Sequence, residues 1–142
     1  MMPLPAIGGF CLLLALAYAI IVWGCGVLWF APIAGSYVIV FGQPDSPMAR
    51  VRSLVGGHLL AFAAGAMSRA LALDPNIGIL LATCAAVTLM VSFDCIHSPA
   101  GATSAAVILS GSPMPGSALA LMAGLALALA AKWGLRHWVW RR

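Results

Sequence analysis

Long apolar stretches make up most of the chain, and short polar segments separate them. The first stretch, residues 4–41, is too long for one membrane span, which takes about 20 residues. It is interrupted at Trp23–Gly26 and again at Pro32, so it predicts a long helix followed by a short one. Three later stretches have the length of a full span and a fourth is too short to cross alone: 54–73, 77–96, 117–133 and, as the short one, 102–109.

This pattern predicts an all-α membrane protein. We expect four full transmembrane helices plus two short or broken helical segments, in a single transmembrane domain covering residues 1–142. Asp74–Asn76 is predicted to form a turn, because Asp and Pro favour turn geometry and Asn tolerates it. Residues Met1–Ile7 contain no Lys or Arg, so the first stretch is predicted to be a retained span rather than a cleaved signal peptide.

The composition agrees with burial in lipid. Hydrophobic residues account for 63% of the chain, charged residues for 7%, and the mean hydropathy is +1.07. Soluble domains carry about 25% charged residues, so this chain has too few to cover a surface that faces water. A soluble enzyme is therefore excluded.

Two segments in corresponding places share a pattern of proline and small residues. Pro32–Ser36 and Pro99–Thr103 each begin with proline, and each is followed by an apolar run and a Gly-x-Pro sequence. We interpret this as an inverted repeat of two three-segment halves, residues 4–73 and 77–140, since a half with three crossings ends on the opposite side of the membrane. In transporters built this way, the solute site lies where the broken helices meet.

Basic residues indicate the orientation, because they collect on the cytoplasmic side. If the two short segments cross the membrane, six of the seven basic residues share one face and Arg69 lies opposite. If the short segments are re-entrant, Arg50 and Arg52 change sides and the division becomes five to two. The six-pass arrangement is favoured. Both arrangements have an even number of passes, so we expect both termini in the cytoplasm of a bacterial cell, with the protein in the inner (plasma) membrane.

Several kinds of chemistry find little support in the sequence. The four cysteines lie in apolar runs without a CxxC pair and read as small buried hydrophobes. Three histidines and three aspartates are too few convergent groups for a metal site or a nucleophilic triad. Basic runs with interleaved aromatics and glycine-rich nucleotide motifs are missing. We therefore predict no enzyme activity, metal, cofactor or nucleic acid partner.

Two motifs in a fixed order are distinctive. Phe41–Ala49 reads Phe-Gly-Gln-Pro-Asp-Ser-Pro-Met-Ala and is followed by Gly56–His58, and Met90 is followed by His97–Thr103, which reads His-Ser-Pro-Ala-Gly-Ala-Thr. Together they resemble the HPP family of integral membrane proteins, named for a His-Pro-Pro motif. The resemblance covers nearly the whole chain. Ser98 replaces the first proline of the motif, and Val51 replaces a proline usual in the family.

The resemblance implies a function. Members of the family are usually described as having four membrane helices, and photosynthetic members have been linked to nitrite transport. The expectation for this chain is therefore transport of a small inorganic anion, nitrite-like, by a small permease or channel.

The residues around the second motif suggest, independently, where an anion would bind. Ser98 can cap a helix and Pro99 fits its first turn, which would leave the N–H groups of Ala100, Gly101 and Ala102 free. A helix N-terminus carries about half a positive charge and attracts anions. Gly35 and Ser36 are predicted to supply the matching terminus from the other half. The full set of predicted substrate-binding residues is His97, Ser98, Pro99, Ala100, Gly101, Thr103, His58, Gly35 and Ser36.

Three ionisable residues allow two interpretations each. His97 either contacts the solute or is a hydrogen-bonded capping residue. His58, one turn into a span, either gates the site or bonds a carbonyl on a neighbouring helix, although ionisable residues in spans are usually functional. Asp94 lies three residues before His97, so the two would share one helix face, as a proton relay or as a structural hydrogen bond.

Two classes of function stay open at this point. The alternative to a transporter is a non-transporting membrane subunit that docks on or stabilises a partner protein, and its motif residues would face lipid or an interface. For the transporter we expect a homo-oligomer in the lipid bilayer, with small residues of the 54–73 stretch at the contact.

Overall fold

The structure, a computed structural model, describes the backbone of residues 4–138 and the side chains of residues 7–23 and 26–134. All regular structure in that range is helical. The six α-helices are α1 Leu4–Cys25, α2 Phe30–Gly42, α3 Val51–Ala70, α4 Pro75–Ser92, α5 Gly101–Leu109 and α6 Met114–Trp138. Short 3₁₀ turns precede three of them: Val27–Trp29 before α2, Pro47–Ala49 before α3 and Ser98–Ala100 before α5.

Helix lengths follow the predicted order of long, short, long in each half. The long helices α1, α3, α4 and α6 have 22, 20, 18 and 25 residues. The short helices α2 and α5 have 13 and 9 residues. At 1.5 Å per residue α5 spans about 14 Å, less than half of the roughly 30 Å hydrocarbon layer.

The helix boundaries correct two details of the sequence prediction. The break between α1 and α2 is at Gly26, whose φ of 91° is a conformation that other residues rarely adopt. Pro32 does not break a helix, because it lies in the first turn of α2, where its missing N–H is not needed. The predicted turn at Asp74–Asn76 is the start of α4, since the Asp74 carboxylate accepts the N–H groups of Asn76 at 3.0 Å and Ile77 at 3.3 Å.

The six helices alternate in direction. Four contacts between helix ends establish this: Phe10 with Phe41, Arg52 with Phe93, Lys132 with Ala49 and, at the opposite end, Arg69 with Ser112. We call the side with the 43–50 and 93–97 segments face A, and the side with the 71–74 and 110–113 segments face B. Because each helix reverses the previous one, the chain enters α1 and leaves α6 on face A.

Packing divides the helices into two groups of three. α3 packs along α4 and α5, and α6 packs along α1 and α2. Contacts between α2 and α5 and between α3 and α6 are fewer and join the groups. The α3 group has a small core of Ala61, Ala86, Met90, Cys95 and Ala100. The larger core contains aromatic and branched residues from the other group, among them Trp29, Tyr37 and Leu125.

The small residues of α3 are used inside the chain. A Cβ added at Gly65 would lie 2.8 Å from the carbonyl oxygen of Ser104, and one at Gly57 would lie 2.8 Å from the Cβ of His97. These glycines therefore allow α3 to approach α5 and the segment before it. The expectation that this face of α3 forms a contact between subunits is wrong, because the face is already covered.

Apolar side chains cover the outside. Trp23 is 95% exposed, Leu12 72% and Leu119 71%, as expected for side chains that face lipid. Among the described residues, two helical segments are long and apolar enough to cross a membrane, Pro75–Ser92 and Met114–Gly134. α3 is as long but less apolar, because it includes Arg52, His58 and Arg69. Residues 139–140, at the end of the second predicted half, lie outside the described residues, as do Arg141 and Arg142.

Candidate functional site

Four polar side chains meet where the two groups of helices join. They are Ser36 on α2, His58 on α3, His97 just before the 3₁₀ turn at 98–100, and Thr103 on α5. Each of the four is completely buried. Polar groups away from water must find hydrogen-bond partners or carry a large free-energy cost, so their convergence is the main polar feature of the interior.

Continuous hydrogen bonds join these side chains. Oγ of Ser36 lies 2.8 Å from Nε2 of His58 and 2.9 Å from Nε2 of His97. Nδ1 of His58 lies 2.7 Å from Oγ1 of Thr103, and Nδ1 of His97 lies 2.8 Å from the carbonyl oxygen of Met48. The two imidazole rings are 5.2 Å apart between centroids. We call this set, from Thr103 through His58, Ser36 and His97 to Met48, the polar chain.

One carbonyl fixes the direction of every bond in the polar chain when both imidazoles are neutral. The Met48 oxygen can only accept, so Nδ1 of His97 carries the hydrogen and Nε2 of His97 is bare. Ser36 therefore donates to His97, and its oxygen accepts from Nε2–H of His58. Nδ1 of His58 is then bare and accepts the hydroxyl hydrogen of Thr103. In all four bonds the donor is the group nearer Thr103 and the acceptor is the group nearer Met48.

Ser36 and Thr103 occupy matching places in the two short helices. Each lies four residues after the proline of its segment, Pro32 or Pro99. Their hydroxyls bond different nitrogens of the His58 imidazole: Ser36 bonds Nε2 and Thr103 bonds Nδ1. His58 thus bridges the two segments that the sequence identified as similar.

Glycines make this close arrangement possible. At Gly57 an added Cβ would lie 2.8 Å from the Cβ of His97, and at Gly35 it would lie 3.0 Å from the Cβ of Pro99. Contacts that close force neighbouring atoms to move. Gly57 therefore allows α3 to bring His58 close to His97, and Gly35 allows α2 to pack closely against the start of α5.

A pocket of about 300 Å³ adjoins the polar chain. The lining residues with polar side chains are His97 and Ser98, and Gly101 forms part of the wall. The remaining lining is apolar and comes from α4 and the segments beside it: Met48, Val87, Met90, Val91 and Ile96. A Cβ at Gly101 would have its nearest neighbour at 3.9 Å, the methyl of Thr83, so the glycine leaves open space in the pocket.

The local geometry at the second motif differs from the prediction. Ser98 is exposed and does not cap a helix, because His97 is the residue that precedes the 3₁₀ turn. The N–H of Ala100 bonds the carbonyl of His97 at 3.0 Å, and the N–H of Gly101 bonds within the turn. Two of the three N–H groups that were expected to be free are therefore occupied. Gly35 and Ser36 lie inside α2 rather than at its start, and Ser36 contributes its hydroxyl.

Asp94 is separate from the polar chain. The expectation that it shares a helix face with His97 is wrong, because α4 ends at Ser92 and Asp94 has a φ of 48°. Its carboxylate is exposed and lies 3.9 Å from Nη1 of Arg52, and Arg52 also donates to the carbonyl of Phe93 at 2.6 Å. The pair holds the 93–94 turn against α3 on face A.

Two contributors to the site were not predicted as site residues. Met48 enters through its carbonyl, and a backbone oxygen has no signature in the sequence. Gly57 belongs to the Gly56–His58 motif, but its contact with His97 depends on tertiary packing. The Phe41–Ala49 motif that contains Met48 was the available signal for this part of the site.

Taken together, these features define a class of protein: an all-helical membrane protein with a buried polar site between two short helices. Comparison with known families makes this more specific. The model of the HPP transmembrane region matches residues 2–135, which is nearly the whole chain. The chain belongs to the HPP family, as its two motifs suggested.

Two curated relatives come from Dictyostelium discoideum, and both are described as transmembrane proteins. One is 36% identical over 75 residues, which cover 50% of this chain and 26% of the relative. The other is 31% identical over 106 residues, which cover 72% of this chain and 34% of the relative. The chain thus spans about a quarter to a third of the length of these relatives. No solved structure matches the chain.

Proposed function

We propose that this protein transports a small inorganic anion, nitrite-like, as a small permease or channel. The observation that carries the proposal is the polar chain beside the pocket of about 300 Å³ in a member of a membrane family. Buried ionisable residues inside membrane proteins are costly and usually mark solute or proton pathways. His97 belongs to both the pocket and the polar chain, and is the residue we assign to the solute.

The pocket suits a small monovalent anion. Most of its lining is apolar, so a strongly hydrated, multiply charged anion would lose much hydration free energy there. Nitrite, nitrate, formate and chloride lose less. Arg52 on face A and Lys132, which donates to the carbonyl of Ala49 beside Met48, supply positive charge near this end of the molecule. Positive charge attracts anions toward an entrance.

An inverted repeat accounts for the helix packing. If α1, α2 and α3 correspond to α4, α5 and α6, the contact of α3 with α4 corresponds to that of α6 with α1. The contact of α3 with α5 likewise corresponds to that of α6 with α2. These are among the main helix contacts of the molecule. We propose that the two short helices, meeting at His58, are the broken segments of such a repeat.

We further propose that all four long helices cross the membrane with face A in the cytoplasm. Arg50, Arg52 and Lys132 belong to face A, whereas Arg69 lies at face B and donates to the carbonyl of Ser112 at 2.7 Å. This distribution follows the positive-inside rule. The chain would then lie in a bacterial plasma membrane with both termini inside.

A homo-oligomer is also proposed, now with α4 rather than α3 at the contact. α4 is the less covered of the two clear spans, with 22% of its residues buried against 39% in the apolar stretch of α6. Native mass spectrometry in mild detergent and in nanodiscs tests this. Dimers or trimers are expected, and monomers alone in both media would contradict the proposal.

Uptake by purified protein in liposomes tests the transport function. Nitrite, nitrate, formate and chloride are compared, with protein-free liposomes as the control for leakage of the uncharged acids. The expected result is saturable uptake of at least nitrite. If none of the four anions enters faster than in the control, the alternative of a non-transporting subunit is favoured.

A further inference from the structure

The Ser36 hydroxyl has one hydrogen and two acceptors within reach. Its oxygen lies 2.8 Å from the carbonyl oxygen of Pro32 and 2.9 Å from Nε2 of His97. The third neighbour, Nε2 of His58 at 2.8 Å, carries a hydrogen in the neutral arrangement. Which acceptor Ser36 chooses therefore depends on whether Nε2 of His97 is protonated.

Both charge states of His97 satisfy every member of the polar chain. With His97 neutral, Ser36 donates to Nε2 of His97. With His97 protonated, both of its nitrogens donate, one to Met48 and one to Ser36, and the Ser36 hydroxyl turns to Pro32. The oxygen of Ser36 then accepts two hydrogen bonds and donates one, which is its full capacity. The change needs only rotation of a hydroxyl.

We infer that Ser36 relays a proton between His58 and His97, and that one proton crosses the membrane with each small monovalent anion. In the transfer step, an extra proton from the aqueous phase has made His58 an imidazolium. Ser36 gives its hydrogen to Nε2 of His97 and takes the hydrogen from Nε2 of His58. The hydroxyl is regenerated with its hydrogen directed at the bare Nε2 of His58, and His58 is left as the Nδ1–H tautomer, which donates to Thr103. One positive charge has moved from His58 to His97.

Coupling to the anion follows from burial. A lone charge in a site without water costs far more free energy than a charge with a partner of opposite sign. The two imidazoles, 5.2 Å apart, repel each other when both are charged, so the pair holds one extra proton. An anion in the pocket against His97 supplies the missing countercharge. This part of the inference depends on the proposed transport function.

The proton exchange is assigned to the two histidines rather than to the other ionisable groups around them. Of those on the described elements around the pair, Arg52 and Asp94 engage each other and Phe93 at the surface, and Lys132 donates to Ala49. The others are Arg69, which donates to the carbonyl of Ser112 at face B, Asp45 and Arg50 in the segment before α3, the phenol of Tyr37, and the thiols of Cys84 and Cys95. α5 contributes none.

Simultaneous recording of anion uptake and internal acidification in liposomes tests the inference. Nitrate is the preferred probe alongside nitrite, because it does not cross lipid as its acid. For the wild-type protein we expect one proton per anion and a rate that does not change with an imposed potassium diffusion potential. Ser36→Ala should abolish anion-driven acidification, and Ser36→Thr, which keeps the hydroxyl, should retain it. Ser117→Ala, another buried serine, should behave as wild type.

The outcomes separate the relay from the transport function. Absence of any anion uptake by the wild type would overturn both. Anion uptake that carries charge and no protons would overturn the relay and leave the transport function standing. Acidification by Ser36→Ala at the wild-type rate would also overturn the relay.

If the Ser36 variants do not fold, a spectroscopic measurement on the wild-type protein tests the relay. Nitrogen-15 magnetic resonance of labelled histidines in the wild-type protein should show opposite tautomers, Nδ1–H for His97 and Nε2–H for His58. His137→Gln removes the third histidine signal. Identical tautomers for His58 and His97 would contradict the bond directions on which the relay depends.

Discussion

At the scale of single residues, the polar chain depends on small groups that permit its close packing or complete its hydrogen bonds. The sequence identified His58, Ser36, His97 and Thr103 as candidates, and the structure brings these four together. The sequence could not supply the order in which they bond. That order comes from the Met48 carbonyl and from Gly57, whose roles depend on contacts between segments distant in sequence.

Removal of the Thr103 hydroxyl tests the polar chain. Thr103→Val keeps the shape but leaves Nδ1 of His58 without its partner, and an unsatisfied buried polar atom costs about 1–3 kcal/mol. Thr103→Ser keeps the hydroxyl and should lose less. Ser117→Ala is the matched control, because its buried hydroxyl has no hydrogen-bond partner among the described residues. Thermal unfolding in detergent measures all three. Equal melting temperatures for Thr103→Val and Thr103→Ser would contradict the role of the hydroxyl.

A second prediction compares two glycines. Gly57→Ala should destabilise the protein by about 1–3 kcal/mol through overpacking, because the new methyl would lie 2.8 Å from the Cβ of His97. Gly101→Ala has its nearest neighbour at 3.9 Å and should be neutral or stabilising. The same melting assay distinguishes them. If Gly57→Ala melts no lower than Gly101→Ala, the close packing described for His97 is wrong.

At the scale of helices, apolar runs and breakers predicted much of the arrangement. Lengths of long and short helices followed from the spacing of glycine, proline and polar residues. Exact boundaries did not, because local signals act in combination: Pro32 and Pro75 begin helices instead of breaking them, and Asp74 caps α4. The 3₁₀ turn at Ser98–Ala100 also escaped prediction, and it occupies N–H groups that an ideal helix start would leave free.

Topology is tested by accessibility of introduced cysteines. In a cysteine-free background, Asp45→Cys and a cysteine added after Arg142 should react with a membrane-impermeant reagent from the same side, because α6 ends on face A beside the 43–50 segment. Ala72→Cys should react from the opposite side. The four-span arrangement with re-entrant α2 and α5 predicts instead that Asp45→Cys and the C-terminal cysteine lie on opposite sides, and that result would refute the six-pass arrangement.

At the scale of the whole molecule, the protein is a helical bundle whose two groups of three meet at His58. Composition was sufficient to predict a membrane protein, and the two motifs were sufficient to predict the family. The sequence prediction placed the small residues of α3 at a contact between subunits. In the structure they lie at contacts between helices of the same group. Stripes of glycine and alanine indicate close helix packing but not whether the partner helix belongs to the same chain.

The pocket beside His97 is the feature on which the functional account depends most directly. The decisive measurement is nitrite and nitrate uptake into liposomes by Gly101→Leu, compared with wild type and with Gly8→Leu. A leucine at Gly101 fills the open wall of the pocket, whereas a Cβ at Gly8 would meet nothing within 4 Å and Gly8 does not line the pocket. We predict that Gly101→Leu folds and inserts normally but loses uptake, and that Gly8→Leu retains it. Wild-type uptake by a folded Gly101→Leu protein would show that the anion does not pass through this pocket.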